Sequence, residues 1–198
     1  MRPWWSSHGW QATVPYVHDE IHHLAADANT EAYALTKNPK LNVLLRPSRS
    51  TDASALTSIL YDTFESTWLP NITPAAAKAY RDEDRPTAYV ARRGMLFWVA
   101  ECNRDVVGFI DWEGDFINAL HVRDSHARRG IGQQLLDHAE AGIANAGFPA
   151  VRLETDIFNI RSRSFYTARG YREADRYPDT EWNSDLTTLL FVKTLTRQ

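Results

Sequence analysis

A basic, glycine-containing segment in the second half of the chain has the composition of an anion-binding site. It reads HVRDSHARRGIGQQLL, and it places Arg128 and Arg129 directly before Gly130 and Gly132 at the start of a leucine-bearing helical pattern. The first N–H groups of a helix have no intrahelical partner, and together with the helix dipole they attract negative charge. Because glycine lets an anion approach the backbone closely, we predict that this segment binds a phosphate-like group.

Three kinds of structure begin with such a Gly-x-Gly. A P-loop ends in Gly-Lys-Ser/Thr, whereas Gly132 is followed by two glutamines, so a P-loop is excluded. A dinucleotide-binding fingerprint needs a third glycine three residues later, and this chain has Leu135 there. From these residues alone, an anion site and a plain glycine turn that only starts a helix both stay open.

A second motif downstream reads FNIRSRSFYTARGY, with Asn159, Tyr166 and Gly170 as its fixed points. Together the two motifs resemble the GNAT superfamily of N-acetyltransferases. That family has Gln/Arg-x-x-Gly-x-Gly/Ala opening a helix, and later Asn-x-x-Ala-x-x-Phe-Tyr followed by Gly-Phe/Tyr. The chain departs from this pattern at Ala127, where the family has Gln or Arg, and at Ser162, where it has Ala.

The resemblance implies acetyl-CoA as the co-substrate of an N-acetyltransferase. It implies that the pyrophosphate lies on the N–H groups of the glycine turn, and that the pantetheine arm pairs with the backbone of the preceding strand. The implied cofactor-binding residues are Leu120, His121, Val122, Arg128, Arg129, Gly130, Ile131, Gly132, Gln133, Asn159 and Tyr166. It further implies that Tyr166 is the catalytic general acid, and that the acetyl group passes directly to a primary amine through a tetrahedral intermediate.

The residue that accepts the amine proton is less evident. Many relatives carry Glu or His on the strand before the glycine turn, but the corresponding inward positions here are Phe116 and Asn118, which do not accept protons at neutral pH. We expect His121 on the opposite face of that strand, so Glu113, Asp115, Glu154 and a water chain stay open as alternatives. The missing strand base and Ala127 also keep a second function open, that of a non-catalytic acyl-CoA-binding sensor or interaction module.

The acceptor site of the family is framed by two segments, which here read FESTWLPNITP and YREADRYPDTEWNSD. The second contains five carboxylates against two arginines: Glu173, Asp175, Asp179, Glu181 and Asp185 against Arg172 and Arg176. The first segment adds one more carboxylate, Glu65. Flat apolar walls are expected from Trp68, Tyr177 and Trp182. Because such a mouth attracts a cation and packs its hydrocarbon stem, we expect the acceptor, a small-molecule or peptide amine, to be cationic rather than anionic.

The elements around these motifs follow the order β-α-α-β-β-β-α-β-α-β-β. With the resemblance, this order predicts an α/β fold: a GNAT-type mixed central sheet of about six to seven strands flanked by helices, with two strands splayed at the acetyl-CoA site. We expect the acetyltransferase domain over residues 41–198 and an N-terminal extension over residues 1–40. Val17–Leu35 has the spacing of an amphipathic helix, which would cover an apolar surface of its own domain or of a second subunit in a homodimer.

Composition narrows the class of protein. The 198 residues carry a net charge of -3, so the charge balance does not support binding to nucleic acid, and we expect no such partner. Cys102 is the single cysteine, so we expect a reducing compartment, the cytoplasm. Apolar runs are too short to span a membrane, so no membrane partner is expected. The helical pair His18 and His22 has no evident third ligand, and we predict no metal site.

Overall fold

A seven-stranded mixed sheet forms the centre of the fold. The computed structural model describes residues 42–179 and 186–195, so the predicted helix Val17–Leu35 and the extension around it lie outside the described residues. The strands are β1 (Val43–Pro47), β2 (Trp98–Cys102), β3 (Asp105–Glu113), β4 (Phe116–Val122), β5 (Ala150–Asp156), β6 (Arg172–Pro178) and β7 (Thr187–Thr194). Their order is β1-β2-β3-β4-β5-β7-β6, and only β4 and β5 pair in parallel. The predicted mixed sheet is confirmed.

Five α-helices lie along this part of the chain. They are α1 (Ala53–Thr63), α2 (Pro74–Asp82), α3 (Arg85–Arg93), α4 (Ile131–Asn145) and α5 (Ile160–Ala168). The sequence predicted two helices between β1 and β2, and the structure has three, because α3 was missed. Only two residues separate α3 from α2, and its first turn contains Pro86, so the charged segment resembled a loop.

Apolar side chains pack on both faces of the sheet. On one face, α4 buries Ile131, Leu135, Ala139 and Ile143, which recur every four residues and so lie along one side of the helix. On the other face, α1 and α3 pack against Phe109 and its neighbours. Burial of each large aliphatic side chain contributes about 1.5–3 kcal/mol, so all three helices are held firmly on the strands that form the site.

A β-bulge interrupts β4 at Asn118. Asp111 pairs with Ala119, but the next residue of β3 pairs with Ile117, so Asn118 is an extra residue on β4. The bulge resets the alternation of side chains along the strand. Ile117 and Leu120 therefore both face the α4 core although they are three residues apart.

The parallel strands β4 and β5 separate soon after they meet. In the described residues their register contains only Phe116 with Arg152 and Ile117 with Leu153. Beyond these pairs β4 continues against β3, while β5 continues against β7. This opening, which we call the fork, is the predicted splay between the two strands.

None of the described helices is both long enough and apolar enough to cross a membrane.

Candidate active site

The edge of β4 at the fork offers backbone hydrogen-bonding groups. Alternate residues of an antiparallel strand direct their N–H and C=O groups to opposite sides. The N–H of Arg123 donates to the carbonyl of Val107 on β3 at 2.8 Å. By the same alternation, Leu120 and Val122 direct their backbone groups away from β3, toward the fork. An extended ligand could pair with this edge as an added strand.

The glycine turn, Ala127–Gly130, connects this edge to α4. Arg128 and Gly130 both have positive φ, at 57° and 80°. This conformation suits glycine and is uncommon for arginine, so the turn is a specific shape rather than a generic helix start. Gly130 is the N-cap of α4, and Arg128, Arg129, Gly130 and Gln133 are all exposed. The free N–H groups at the start of α4 are therefore accessible to an anion.

A third arginine, which the sequence analysis missed, lies near the turn. Arg161 is half-buried on the first turn of α5, and it is close enough for the charges of Arg128 and Asp124 to affect it. Burial lowers the pKa of its guanidinium, and the charge of Arg128 acts in the same direction. It follows Asn159 by two residues, so its place in the second motif is the signal that could have found it.

Asn159 and Ser162 form the capping turn of α5. The side-chain oxygen of Asn159 accepts a hydrogen bond from the Ser162 N–H at 3.0 Å, which is an N-cap interaction. Both side chains are buried, and within the described segments neither the Asn159 Nδ2 nor the Ser162 Oγ has a hydrogen-bond partner. Asn159 thus supports the helix and also keeps a buried donor.

The ring of Tyr166 is fixed in the core on the α4 side of the sheet. It lies on α5, is almost fully buried, and meets Phe165 and Tyr171 edge-on at centroid distances of 5.2 and 5.4 Å. Such edge-to-face pairs are favourable and restrict the ring orientation. The second motif therefore places a tyrosine with a single defined position on one face of the sheet.

His121 lies on the face of the sheet that carries α1, and it is fully buried. Its Nδ1 lies 2.9 Å from the hydroxyl of Thr63, and its ring stacks on Phe109. Burial lowers the pKa of His121 to about 3, so the imidazole is neutral at pH 7. We expected His121 and Asn118 on opposite faces, and this is wrong. Asn118 hydrogen-bonds Asp111 on the same side, because the bulge shifts the alternation by one residue.

Asn118 belongs to a buried network around Asp111. The Asp111 carboxylate accepts hydrogen bonds from Tyr89 (2.6 Å), from Arg93 Nε and Nη2 (2.7 and 2.9 Å) and from Asn118 Nδ2 (3.2 Å). Asp111 itself is fully buried. The network connects α3 to the bulge of β4, so a buried ion pair holds the strand in its shape at the fork.

The three carboxylates considered as bases lie in different surroundings. Glu113 is exposed at the last position of β3, just before the turn into β4, and it pairs with Arg93. Asp115 accepts two hydrogen bonds of 2.7 Å from Arg152, and this partner holds the pKa of Asp115 below its usual range. Glu154 is buried on β5 at the fork, where its carboxylate accepts a hydrogen bond from the Tyr177 hydroxyl.

Part of the acidic acceptor segment is described. Glu173 pairs with Arg176 at 2.7 Å, and Asp179 is buried. Glu181, Trp182 and Asp185 lie outside the described residues. Trp68 is the last residue of a π-helical turn, Phe64–Trp68, and its indole N–H donates to Asp156 of β5 at 2.9 Å. In the described ranges 42–179 and 186–195, no cluster of three or more His, Cys, Asp or Glu side chains could hold a metal ion.

Comparison with known proteins agrees with this arrangement. A family model described as the acetyltransferase (GNAT) family matches residues 55–171. An uncharacterized N-acetyltransferase of Methanocaldococcus jannaschii is 36% identical over 89 residues, which cover 41% of this chain and 56% of that protein. The chain therefore matches little more than half the length of this curated relative.

Solved structures share the fold at low identity. A GCN5-related N-acetyltransferase from Rhodopseudomonas palustris has a TM-score of 0.65 and 22% identity, with 77% of this chain and 95% of that chain covered. The PaiA N-acetyltransferase from Thermoplasma acidophilum, solved with coenzyme A, has a TM-score of 0.64 and 18% identity, with 78% and 100% covered. The family match extends over more than half of this chain, from α1 through both motifs. The chain belongs to the GNAT acetyltransferase family.

Proposed function

We propose that this protein is an N-acetyltransferase that moves an acetyl group from acetyl-CoA directly to a primary amine. The observation that carries the proposal is the fork between β4 and β5, which leads straight to the glycine turn at the start of α4. An extended, anionic thioester fits these two features together. Its arm pairs with the backbone of Leu120 to Val122, and its pyrophosphate lies on the N–H groups from Arg128 to Gln133.

Cations around the turn supplement the N–H groups. Arg128 and Arg129 belong to the turn itself, and Arg161 on α5 is close enough for the charge of Arg128 to act on it. Arginine forms strong paired hydrogen bonds to phosphate oxygens. We propose that Arg161 supplies the contact that is lost where the family has Gln or Arg and this chain has Ala127. Asn159 Nδ2 is a further donor toward the cofactor.

Acetyl transfer to an amine has three chemical requirements. The amine must lose a proton, the oxygen of the tetrahedral intermediate must be stabilised, and the departing sulfur must gain a proton. We assign stabilisation of the oxygen to backbone N–H groups near Leu120. We assign the proton for the sulfur to Tyr166, because a phenol, whose ordinary pKa is about 10, is a reasonable donor to a nascent thiolate.

Gly132→Val tests the cofactor site. A Cβ at position 132 would lie 3.8 Å from Phe165 and Val122, which is ordinary contact, so the fold should accept a first side-chain carbon. The branched side chain would stand where the pyrophosphate must approach the helix. We expect acetyl-CoA affinity to fall at least roughly tenfold, about 1.4 kcal/mol, in titration calorimetry. An unchanged melting temperature is the control, and unchanged acetyl-CoA affinity would reject the site.

The alternative is a non-catalytic acyl-CoA-binding module. The observation in its favour is Asn118, an amide at the strand position where many relatives have a proton acceptor. Thiol release from acetyl-CoA with a panel of amines separates the two functions. Steady release with at least one amine supports the enzyme, whereas tight binding of acetyl-CoA without release from any amine supports the sensor.

We propose that the preferred acceptor is cationic. Three buried carboxylates lie in or next to the acceptor segment: Glu154, Asp156 and Asp179. Tyr177 contacts Glu154, and Trp68 contacts Asp156, so aromatic surface lies beside two of them. An acidic aromatic mouth concentrates cations and packs their hydrocarbon stems.

Ionic strength tests this preference. We expect the KM for a polyamine to rise between low salt and about 0.5 M NaCl, since screening shortens the range of the attraction. The KM for a neutral amine serves as the comparison within the same assays, because its binding has no net charge to screen. Best activity with neutral or acidic amines, together with a KM that is independent of salt, would refute the preference.

The remaining proposals concern the whole chain. We propose that residues 41–198 form the acetyltransferase domain and that residues 1–40 are an extension. Its helix, Val17–Leu35, would cover an apolar surface of the same domain or of a second subunit in a homodimer. We place the reaction in the cytoplasm, because a single cysteine suits a reducing compartment.

A further inference from the structure

Glu154 has a defined position at the fork. It follows Leu153, which is the last residue of β5 in register with β4. Glu154 itself pairs with Leu190 of β7. Its backbone is therefore held in the sheet on one side, while its side chain stands at the place where β4 and β5 separate. Only 7% of the residue is exposed.

The side chain of Glu154 lies on the opposite face of the sheet from Tyr166. Val151 and Leu153 belong to the core cluster that contains α4 and Tyr166. Side chains alternate along a strand, so Glu154 and Asp156 lie on the other face, and Asp156 meets Trp68 there. Glu154 and Tyr166 thus lie on opposite faces of the sheet.

We propose that Glu154 accepts the proton of the attacking amine, and that Tyr177 is a positioning residue that orients its carboxylate. This assignment rests on the proposed acetyltransferase function, and it selects one residue from the bases that the sequence left open. The charge of Asp115 is compensated by Arg152, which donates two hydrogen bonds to it. Glu113 lies at the turn between β3 and β4, where it is exposed and pairs with Arg93. Glu154 is the one of the three that is buried at the fork.

Tyr177 reaches Glu154 from β6, at the edge of the sheet. Its hydroxyl donates to Oε1 of Glu154. Burial raises the pKa of Tyr177, so the phenol stays protonated and remains a donor at neutral pH. This hydrogen bond from Tyr177 fixes the carboxylate within the small range of angles that proton transfer needs.

Charged and titratable groups lie near Glu154 on several neighbouring elements. On β5 itself Arg152, which is paired with Asp115, and Asp156, which accepts from Trp68, lie on the same face. On β6 the field of Asp175 reaches the Tyr177 hydroxyl. On β4 the imidazole of His121 is neutral, because burial lowers its pKa to about 3. Glu154 therefore lies among groups of both charge signs, and its hydrogen bond to the Tyr177 hydroxyl is the contact that orients it.

The proposed acetyl transfer forms a C–N bond and breaks a C–S bond. The lone pair of the neutral amine attacks the thioester carbon, a C–N bond forms, and the carbonyl π electrons move to oxygen. One nitrogen proton passes to the Glu154 carboxylate. The oxygen electrons then return, the C–S bond breaks, and the sulfur takes the proton of Tyr166. Solvent returns one proton from Glu154 to the Tyr166 phenolate, so the products are the amide and free CoA.

Glu154→Gln is the principal test, because the amide keeps the size of the side chain and an acceptor oxygen for Tyr177 but does not take up a proton. We expect kcat to fall by about 100-fold or more, with acetyl-CoA affinity changed less than about threefold. The acidic limb of the kcat/KM profile should disappear. Glu113→Gln, an exposed carboxylate at the turn, is the matched control and should keep both kcat and the profile.

Two further variants separate proton transfer from packing. Glu154→Asp keeps a carboxylate, so it should keep the acidic limb at reduced kcat. Tyr177→Phe should shift that limb and lower kcat without affecting acetyl-CoA binding. An acidic limb that is lost in Glu154→Asp, or kcat within about threefold of wild type in Glu154→Gln, overturns the assignment. If the wild type releases no thiol with any amine, the acetyltransferase function fails and the assignment with it. An active wild type with an unaffected Glu154→Gln rejects the base alone.

Discussion

Arg93→Ala is expected to lower the free energy of unfolding by about 3–5 kcal/mol, because it leaves the Asp111 carboxylate buried without its cation. Arg93 makes two of the hydrogen bonds to Asp111, at 2.7 and 2.9 Å, and the exposed fractions of the two side chains are 6% and 0%. A carboxylate without its partner in such a place must lose its charge or draw water into the core. Urea denaturation followed by circular dichroism measures the loss.

The control for this prediction is an ion pair on the surface. Lys78 and Asp82 pair one turn apart on α2, with side chains that are 75% and 58% exposed. Lys78→Ala should therefore cost less than about 1 kcal/mol. A similar small cost for Arg93→Ala would mean that Asp111 is not stabilised by its ion pair. Replacement of both Arg93 and Asp111 by leucine should cost less than the sum of the single changes, since neither charge is then left alone.

Tyr166→Phe is expected to lower turnover by about 100-fold while acetyl-CoA binding stays close to normal. The change removes one oxygen and keeps the ring, whose contacts with Phe165, Tyr171 and Phe191 are made by carbon atoms. If the hydroxyl protonates the departing sulfur, only the chemical step loses an interaction, so kcat should fall and cofactor affinity should not. Steady-state kinetics with calorimetry measures both.

A neighbouring tyrosine gives the matched control. Tyr171 is buried in the same core, and its hydroxyl donates to Glu140 at 2.9 Å. Tyr171→Phe should affect stability through that bond and leave turnover nearly unchanged. Full activity of Tyr166→Phe would exclude its role as the acid. An equal loss in both variants would show that packing of the core, rather than proton donation, controls the rate.

Some parts of this site were encoded locally and could be predicted. A helix was expected to start at Gly130 and Gly132, and α4 begins at Ile131. It ends at Asn145, and Gly147, two residues later, has a φ of 89°. These features depend on the conformations of adjacent residues, because a glycine with positive φ ends or begins a helix through its own backbone. The same holds for the capping bond of Asn159.

The order of the elements and the two motifs also determined the family and the sheet. What the sequence left open depends on contacts between residues that are far apart in the chain. The bulge at Asn118 reverses the expected relation to His121, and a bulge is a property of the pairing between two strands rather than of either one. Helix α3 was missed because a proline and several charges hide a helix whose buried face, with Tyr89 and Val90, is defined only by what it packs against.

The sequence by itself determined the family, the position of the glycine turn before α4 and the positions of Asn159 and Tyr166 at α5. Only the tertiary structure decided that Arg93 from α3 lies against Asp111 from β3, and that Tyr177 from β6 lies against Glu154 from β5. The physical reason is range. A helix start is built by neighbours along the chain, whereas a buried charge acquires its partner only when sheet register and helix packing bring distant segments together.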